Sequence, residues 1–279
     1  MAPDALTGRM ATDLKPGTEP SKPYGRLSTI VRFVLGTMVL IFTSTPTFIV
    51  SLFLLPWRSL RVRVGNVFGK IVGYSAVRLA GAVPEVEHKE RLEAYAPAIY
   101  LCNHASMLDV VTGIWLCPYG GVGVGKREVI RVPFFGWIFA LTGHLLLDRK
   151  NRADAIAGLA SLGGLVRKHR MSVWIYPEGT RAYDGRLLPF KKGFVHLAIA
   201  SGLPVVPVVL HNTYLRWPNR TFKLHPGPFP ITVLPKIDTS SWSAERVEEH
   251  LAEVRQAYLA ALGQNQQPIE PLGSPLTVP

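Results

Sequence analysis

Residues 98–109 read AIYLCNHASMLD, and this stretch indicates a strand that ends in a turn and continues as a helix. Its first five residues are apolar enough for a buried strand. A single helix through both His104 and Asp109 would place them about 140° apart around its axis, too far for contact. A strand-to-helix turn instead brings the two side chains together at the carboxyl end of the strand, where open α/β sheets bind ligands.

A histidine paired with a carboxylate is typical of a general base. The carboxylate accepts from one ring nitrogen, which fixes the tautomer and raises the basicity of the other nitrogen. Such a pair needs no protein nucleophile. We interpret the neighbouring Ser106 as a helix cap and Cys102 as a small buried residue. The sequence therefore predicts His104 and Asp109 as catalytic residues.

A second polar turn, YPEGTR at residues 176–181, follows another apolar run. Gly179 allows a close backbone approach, Thr180 offers a hydroxyl and an amide, and Arg181 has a planar fork suited to phosphate. Glu178 cannot itself bind phosphate, and we expect it to orient Arg181 or neighbouring amides. Taken alone, this turn also fits a capped helix start or a surface turn.

The two turns together resemble the glycerolipid acyltransferases, specifically the 1-acylglycerol-3-phosphate acyltransferases. Further blocks match in order and at family-like spacing. They are GKRE at 125–128, PFFG at 133–136, LLDR at 146–149, PFKKG at 189–193 and LPVVPV at 203–208. The resemblance extends over residues 84–210 and departs at Ala105, where many members have Gln.

The resemblance implies an enzyme that transfers an acyl chain to the free hydroxyl of 1-acylglycerol-3-phosphate and gives phosphatidic acid. His104 would deprotonate that hydroxyl, and Asp109 would orient His104. The donor would be a thioester, acyl-CoA or acyl carrier protein, with no metal and no cofactor. The candidates for binding the acceptor are Lys126, Arg149, Glu178, Gly179, Thr180 and Arg181. Other lysolipids (a lysophospholipid or a lyso-ornithine lipid) and glycerol-3-phosphate stay open as acceptors.

The composition indicates that the protein binds an anionic partner. The chain has 279 residues and a net charge of +12, with 48% hydrophobic and 18% charged residues. Its mean hydropathy of +0.19 excludes disorder of the whole chain. The basic residues do not alternate with aromatic residues in a run, so nucleic acid is not a predicted partner. Two cysteines are too few for a disulfide scaffold or a four-cysteine zinc site, and the histidines lack metal-ligand spacing.

An apolar N-terminal run indicates contact with a membrane. Residues 33–57 are 25 uncharged residues, and as a helix they would span roughly 37 Å, enough for the hydrocarbon core. We expect Pro46 to kink or break this helix. A second apolar helix at residues 64–83 would form a hairpin with it. A buried core helix is the alternative for residues 33–57.

Positive charge on both flanks favours a helix that dips into one leaflet or folds back as a hairpin, because the flanks show no clear asymmetry. The flanking basic residues are Arg26, Arg32, Arg58, Arg61, Arg63 and Lys70. They suit an anionic leaflet. We therefore expect a membrane-associated protein on the cytoplasmic face, at the inner membrane in a bacterium, with the lipid bilayer as a partner.

The order of elements predicts an α/β fold with a mixed, mostly parallel sheet flanked by helices, preceded by an N-terminal apolar helical hairpin. The candidate strands are 98–102, 144–147, 172–176, 205–210 and 231–234. The candidate helices are 106–116, 153–169, 193–201 and 244–262. The predicted regions are a flexible arm at 1–25, membrane-associating helices at 26–83, the catalytic domain at 84–263 and a disordered tail at 264–279.

Two readings from other functional classes compete with an acyltransferase. The segment GGVGVGK at 120–126 matches the first seven positions of a P-loop, and LLLD at 145–148 mimics a magnesium-binding strand. A nucleotide hydrolase lacks support at the eighth position, which is Arg127 instead of Ser or Thr. A non-catalytic membrane lipid-binding protein is the other alternative, and the intact pair of His104 and Asp109 argues against it.

Overall fold

A seven-stranded sheet forms the centre of the protein in a computed structural model that describes residues 21–148 and 152–269. The strands are β1 (Ala82–Glu87), β2 (Ile99–Cys102), β3 (Gly121–Lys126), β4 (Leu145–Leu147), β5 (Ser172–Ile175), β6 (Val205–Leu210) and β7 (Gly227–Val233). Their order is β1-β7-β6-β2-β5-β3-β4. The five strands from β6 to β4 are parallel, while β7 is antiparallel to β6 and β1 is parallel to β7. The predicted fold class is confirmed.

Helices cover both faces of this sheet. They are α1 (Arg26–Phe53), α2 (Arg58–Leu79), α3 (Arg91–Ala94), α4 (Met107–Leu116), α5 (Phe135–Leu141), α6 (Arg152–His169), α7 (Gly193–Ser201), α8 (Thr213–Arg216) and α9 (Val247–Ala261). Alternate residues of β2 enter different cores: Leu101 packs with α6, α7 and α9, while Tyr100 packs with α2 and α4. Since successive side chains of a strand point to opposite faces, the protein has one core on each side of the sheet.

The glycine-rich segment that resembles a P-loop is the strand β3. Its first residues pair with β5 and its last residues pair with β4. A Cβ atom on Gly123 or Gly125 would lie 3.1 or 3.2 Å from the Phe139 ring, so these glycines make room for that ring. An extended strand cannot wrap its amides around a phosphate as a P-loop does. The nucleotide-hydrolase alternative is therefore wrong.

The edge strand β1 was not among the predicted strands, and its sequence explains the omission. The segment AVPEVE carries a proline and two glutamates, which are rare inside strands. Proline is tolerated at the edge of a sheet, and the side chains of β1 alternate between more and less buried positions. The predicted domain boundary at residue 84 falls inside β1, so the α/β domain begins earlier than expected.

The two N-terminal helices form the expected hairpin, and α1 continues unbroken through Pro46. The hydroxyls of Thr43, Ser44 and Thr47 donate to carbonyl oxygens one turn earlier, at 2.6, 2.6 and 2.9 Å. These local bonds add support around the proline, which has no N–H to donate. Of the kink or break predicted at Pro46, the break is wrong. By length and composition, α1 is long and apolar enough to cross a membrane.

The helix α2 is part of the folded domain and not a separate membrane element. Three glycines at four-residue spacing lie on one face of it. A Cβ on Gly65 would lie 2.8 Å from Thr142, and one on Gly73 would lie 2.6 Å from the Val111 carbonyl oxygen of α4. This close contact requires glycine, and it attaches α2 to the α/β domain. The predicted region 26–83 therefore contains one exposed helix and one packed helix.

The arginines that flank the apolar helices bind helix ends as well as facing solvent. Arg58 donates to the Gly143 carbonyl at 2.9 Å, and Arg61 donates to the Leu141 carbonyl at the end of α5. Arg32 donates to the Leu79 carbonyl at the end of α2, at 2.8 Å. Cationic groups stabilise the carboxyl ends of helices. These three side chains thus have a structural partner in addition to any lipid.

Both predicted flexible ends are ordered where they adjoin the domain. The Tyr24 amide donates to the Leu224 carbonyl at 2.9 Å, in the segment expected to be a flexible arm. Gln264–Gln266 form a 3-10 helix in which Gln266 is 1% exposed, so the disordered tail was predicted to start too early. Residues 1–20 and 270–279 lie outside the described part of the chain.

Candidate active site

Asn103 directly follows β2 and directs the chain into the site. Its side chain donates to the Leu210 carbonyl at 2.9 Å and accepts from the Leu210 amide at 2.7 Å. The Asn103 side chain thus makes hydrogen bonds to β6 at the point where the backbone pairing between the two strands ends. The main chain is free to turn at this point, and His104 follows at the carboxyl edge of the sheet.

Ser106 begins α4 as its N-cap. Its hydroxyl accepts from the Leu108 amide at 3.1 Å and donates to the Trp217 carbonyl at 2.7 Å. Asp109 completes a capping box by accepting from the Ser106 amide. Ser106 is fully buried and has both hydroxyl roles occupied, so the interpretation as a cap is confirmed.

The structure brings together the two side chains that the sequence predicts as a catalytic pair. His104 Nδ1 lies 3.1 Å from Asp109 Oδ2, and the Asp109 side chain is fully buried while that of His104 is 12% exposed. The same carboxylate accepts from the Ala105 and Ser106 amides and from the Thr213 hydroxyl. Because these four groups donate to it, the Asp109 carboxylate acts only as an acceptor. The His104 ring proton therefore lies on Nδ1, and Nε2 has the free lone pair.

Glu178 holds the two motif turns together. One carboxylate oxygen accepts from the His104 amide at 2.7 Å and the other accepts from the Leu188 amide at 3.0 Å. The side chain is 2% exposed. Burial raises the pKa of Glu178 to about 8, although both amide donors oppose the rise. Each oxygen accepts from an amide, so Glu178 orients neighbouring amides, as one alternative predicted, and its assignment to substrate binding stays a prediction.

Gly179, Thr180 and Arg181 present the second turn at the same edge. Gly179 has a φ of +72°, which favours glycine, and its amide donates to the Tyr176 carbonyl at 3.1 Å. Thr180 is exposed and Arg181 is half-buried. Within residues 21–148 and 152–269, the Arg181 guanidinium has no carboxylate or carbonyl partner.

The other two basic candidates differ in what the structure describes. Lys126 is exposed at the carboxyl end of β3, two strands from β2 in the sheet order. It therefore lies on the same edge as His104 and Arg181. Arg149 lies outside the described residues. The neighbouring Arg127 and Asp148 form an ion pair of 3.6 Å between the ends of β3 and β4.

An apolar cavity lies next to Tyr176, whose ring contacts the His104 ring. Its lining includes Phe68 of α2, Gly113 of α4 and Phe139 of α5, and it extends to Tyr176. The Tyr176 ring lies 4.4 Å from the His104 ring, and its hydroxyl donates to the Asp109 carbonyl at 2.7 Å. Tyr176 thus lines the cavity and also contacts the His104 ring.

Two site residues were missed in the sequence, Thr213 and Asn219. Thr213 follows β6 and donates to Asp109. Asn219 donates to the Ala105 carbonyl at 2.6 Å and to the Ala182 carbonyl at 2.9 Å, which joins the two motif turns. The only sequence signal was the polar group HNT at 211–213 directly after an apolar strand. Such a position at the carboxyl edge is a reasonable site candidate.

The cysteines are buried free thiols. Burial raises the pKa of the Cys102 thiol well above its ordinary value, and the nearby Asp109 and Glu178 carboxylates add to the rise. Cys102 is thus a poor nucleophile although it lies beside the site. Among the described residues, no group of three His, Cys, Asp or Glu side chains could hold a metal ion.

Comparison with known proteins agrees with this geometry. Residues 83–211 match the family model described as Acyltransferase. A 1-acyl-sn-glycerol-3-phosphate acyltransferase of Limnanthes alba is 39% identical over 243 residues, which are 87% of this chain and 85% of the relative. One from Escherichia coli (strain K12) is 37% identical over 191 residues, 68% of this chain and 75% of the relative.

The fold also has a solved counterpart. The crystal structure of the 1-acyl-sn-glycerophosphate (LPA) acyltransferase PlsC from Thermotoga maritima superposes with a TM-score of 0.70 at 23% identity, over 84% of this chain and 93% of that one. The sheet, the His–Asp pair and the family match together define an acyltransferase. The chain belongs to the 1-acyl-sn-glycerol-3-phosphate acyltransferase family.

Proposed function

We propose that the protein transfers an acyl chain from a thioester to the free hydroxyl of 1-acyl-sn-glycerol-3-phosphate, with His104 as general base. The observation that carries this proposal is the 3.1 Å contact between His104 Nδ1 and a fully buried Asp109 carboxylate. This contact leaves Nε2 as the basic atom at the open edge of the sheet. The names of the relatives support the acceptor, since they are called 1-acyl-sn-glycerol-3-phosphate acyltransferases.

The proposed reaction is a direct transfer between two bound substrates. Nε2 of His104 takes the proton of the acceptor hydroxyl, and the oxygen attacks the thioester carbonyl carbon. The tetrahedral intermediate collapses, the carbon–sulfur bond breaks and the thiolate leaves with the proton from the imidazolium. Asp109 stabilises the imidazolium between these steps. The burial of Ser106 and Cys102 supports a route without an acyl-enzyme.

Arg181, Lys126 and Arg149 are proposed to bind the acceptor phosphate. Arg181 is half-buried and unpaired within the described residues, and the planar guanidinium fork suits a phosphomonoester. Lys126 adds charge from the same edge of the sheet. Thr180 and the Gly179 backbone line the same turn. Arg149 keeps this role as a prediction from the family resemblance.

An acyl chain is proposed to occupy the apolar cavity beside His104. Aromatic and glycine residues of α2, α4 and α5 line this space, and Tyr176 connects it with the catalytic ring. A carbonyl carbon held next to Nε2 places its hydrocarbon chain towards these apolar walls. Burial of the chain contributes about 0.8 kcal/mol for each methylene.

We further propose that α1 lies in one leaflet at the cytoplasmic face of the membrane. The Phe33 ring contacts the Trp217 and Phe222 rings at 5.6 and 5.5 Å, so the amino end of α1 lies against the domain. Its carboxyl end leads within four residues to α2, which is packed on the same domain. A helix held at both ends on one domain cannot place those ends on opposite sides of a bilayer. The proposed donors, acyl-CoA and acyl carrier protein, are cytoplasmic, which supports this face.

The test is a transfer assay with the purified full-length protein in mixed micelles. The acceptors are 1-acyl-sn-glycerol-3-phosphate, a lysophospholipid with a head group, a lyso-ornithine lipid and glycerol-3-phosphate, each with acyl-CoA and with acyl carrier protein. We expect phosphatidic acid from the first acceptor and a His104→Ala rate lower by about 10²–10⁴-fold. Absence of transfer to the first acceptor, or an unchanged His104→Ala rate, would overturn the proposal.

A trapping experiment tests the direct route separately. The enzyme is mixed with labelled acyl thioester and no acceptor, then denatured and analysed by intact mass. We expect no covalent label and no stoichiometric burst of free thiol. A burst with the label on Ser106 or Cys102 would make that residue the nucleophile and His104 its activator.

A further inference from the structure

The segment that follows α9 makes buried polar contacts close to the active site. Asn265 and Gln266 are 8% and 1% exposed, although both side chains carry a polar amide group. Gln266 is fixed in place because the Leu187 amide donates to its carbonyl oxygen at 2.8 Å. Buried amides are costly unless they are hydrogen-bonded, so the partners of these two side chains define their role.

Both side chains bind one residue, Asn212. The Asn212 amide donates to Gln266 Oε1 at 3.0 Å, and Asn265 Nδ2 donates to Asn212 Oδ1 at 2.7 Å. Asn212 has a φ of +56°, a left-handed conformation that non-glycine residues adopt at a cost. The two amide contacts stabilise this conformation. Asn212 also sets the direction in which the chain leaves β6 and enters α8.

The next residue, Thr213, contacts the catalytic carboxylate. It is the first residue of α8, is 1% exposed, and donates through its hydroxyl to Asp109 Oδ1. The contacts to His104, Ala105 and Ser106 all go to the other oxygen, Oδ2. Thr213 is therefore the side chain that fixes the second oxygen and with it the rotation of the carboxylate.

We propose that Asn265 and Gln266 position the catalytic pair through Asn212 and Thr213. The chain of contacts runs from the C-terminal segment to the left-handed residue, then to the hydroxyl, the carboxylate and the imidazole. Asn265, Gln266, Asn212 and Thr213 are positioning residues, since none of them reaches the reacting atoms. The inference rests on the proposed role of His104 as general base, and it adds a control of that base from a distant part of the sequence.

Substitution at Thr213 tests the last contact. Thr213→Val keeps the shape and removes the hydroxyl, while Thr213→Ser keeps the hydroxyl. A hydrogen bond to a charged group corresponds to about a 10- to 100-fold change, so we expect Thr213→Val to lower kcat by that factor with an unchanged KM. With one donor fewer, the carboxylate attracts the imidazolium more strongly, and the acid limb of the pH–rate profile moves to higher pH. Thr213→Ser restores both.

The C-terminal segment is tested by a pair of truncations and a double variant. A chain ending at residue 269 retains every contact described above and should keep full activity, whereas one ending at 263 should lose kcat as Thr213→Val does. Gln266→Leu removes the acceptor for the Asn212 amide. If both act through one path, Thr213→Val with Gln266→Leu is no slower than the slower single variant. Multiplied losses would mean separate structural effects and would overturn the proposal.

A readout without turnover separates this inference from the proposed function. The His104 imidazole is followed by NMR in protein labelled at histidine, with His104→Ala to assign its signal. Thr213→Val should move its titration midpoint upward, and Thr213→Ser should not. An unmoved midpoint together with an unchanged pH–rate profile would make the contact merely structural. If the wild-type protein transfers no acyl chain to any acceptor, the proposed function fails, while the midpoint still tests the path from Thr213 to Asp109.

Discussion

At the scale of single residues, the site depends on buried carboxylates that are used in two different ways. Asp109 collects a hydroxyl, a ring nitrogen and two amides, and it remains an acceptor that orients His104. Glu178 collects two amides from separate segments and therefore fixes backbone. Two carboxyl side chains within one site thus differ in role because their donors differ. The donors, and not the residue type, show which of the two contacts the imidazole.

Arg181 provides a prediction about the acceptor. Arg181→Ala should lower kcat/KM for a phosphomonoester acceptor by about 2–4 kcal/mol of transition-state stabilisation, because a bidentate charged contact is lost. Arg181→Lys should recover only part, since an ammonium lacks the fork. The control is Arg167→Ala at the end of α6, which precedes the amino end of β5 on the opposite edge. An equal loss with an acceptor that lacks the phosphate would mean that Arg181 supports the fold instead.

His144 provides a prediction about pH. Burial, aided by Arg58, lowers the pKa of His144 to about 4, below its ordinary value of 6.5, and its Nδ1 accepts from the Gly123 amide at 3.0 Å. The unfolded chain therefore binds more protons than the folded one between these values, so stability is present above about pH 6.5 and is lost as the pH falls towards 4. His144→Asn keeps an acceptor for that amide and does not titrate.

The measurement is the thermal midpoint of unfolding from pH 7.5 to pH 4.5. We expect a flatter dependence for His144→Asn than for the wild type. His88→Asn is the control, since His88 is exposed and its φ of +59° suits asparagine. A wild-type slope in His144→Asn would show that other groups cause the acid destabilisation.

At the scale of elements, the contact between α2 and α4 determines what belongs to the catalytic domain. Helices approach this closely only where side chains are small. The glycines at 69 and 73 allow it, and the buried side chains of α2 enter both cores. The hairpin is consequently divided between a packed helix and an exposed one. Removal of residues 1–83 would expose core as well as remove the membrane contact.

Gly73→Ala tests this packing. The added Cβ would lie 2.6 Å from the Val111 carbonyl oxygen and 2.7 Å from the Trp115 amide nitrogen, both backbone atoms, so one helix must shift. We expect a loss of about 1–3 kcal/mol in the free energy of unfolding. The control is Gly164→Ala in α6, where nothing lies within 4 Å of the new atom. There alanine should stabilise the helix by about 0.4–1 kcal/mol. Equal effects in chemical denaturation would contradict the close packing.

The elements also show which strands a local sequence pattern can predict. The strands β2, β5 and β6 are fully buried apolar runs, and their residues were predicted within one position. The strand β3 was missed because glycines replace its side chains where the Phe139 ring packs, so no apolar pattern remains. The strand β1 was missed because an edge position tolerates proline and glutamate. Local patterns predict a strand only when its own side chains fill the core.

The same limit applies to the site. His104, Asp109 and the turn at 176–181 are close in sequence to the strands that carry them, so their position at the carboxyl edge was predictable. Thr213 and Asn219 meet the first turn from more than 100 residues away, and a hydroxyl or amide after a strand has no periodic signal. The role of Glu178 depended on which atoms surround it after folding. Contacts of this kind follow from topology and not from spacing.

At the scale of the whole molecule, α1 is a long apolar surface attached along the domain. Its 28 residues extend about 42 Å, and a small share of its most apolar window is buried. Phe42 is 72% exposed and Leu35 is 45% exposed. Since three of the flanking arginines also bind helix ends, apolar contact should contribute more to membrane binding than surface charge.

Binding to vesicles tests this prediction with the full-length protein. We expect sedimentation with vesicles of phosphatidylglycerol and phosphatidylethanolamine that persists in 1 M salt, where the screening length is about 3 Å. Leu35→Glu with Phe42→Glu should weaken binding strongly, because two charges enter the apolar face. The control is Val83→Glu, since Val83 is 45% exposed and belongs to β1 and not to the apolar helix. Release of the wild type by salt alone would make charge the main contribution.

The two buried thiols have a practical consequence for chemical labelling. Cys102 is fully buried and Cys117 is 6% exposed, and burial raises the pKa of both. A maleimide should therefore react with them only when the domain opens, and the labelling rate would report the frequency of that opening. A cysteine introduced at an exposed position of α1 should react at once. The native protein can thus carry a single fluorescent or spin probe without prior removal of its own cysteines.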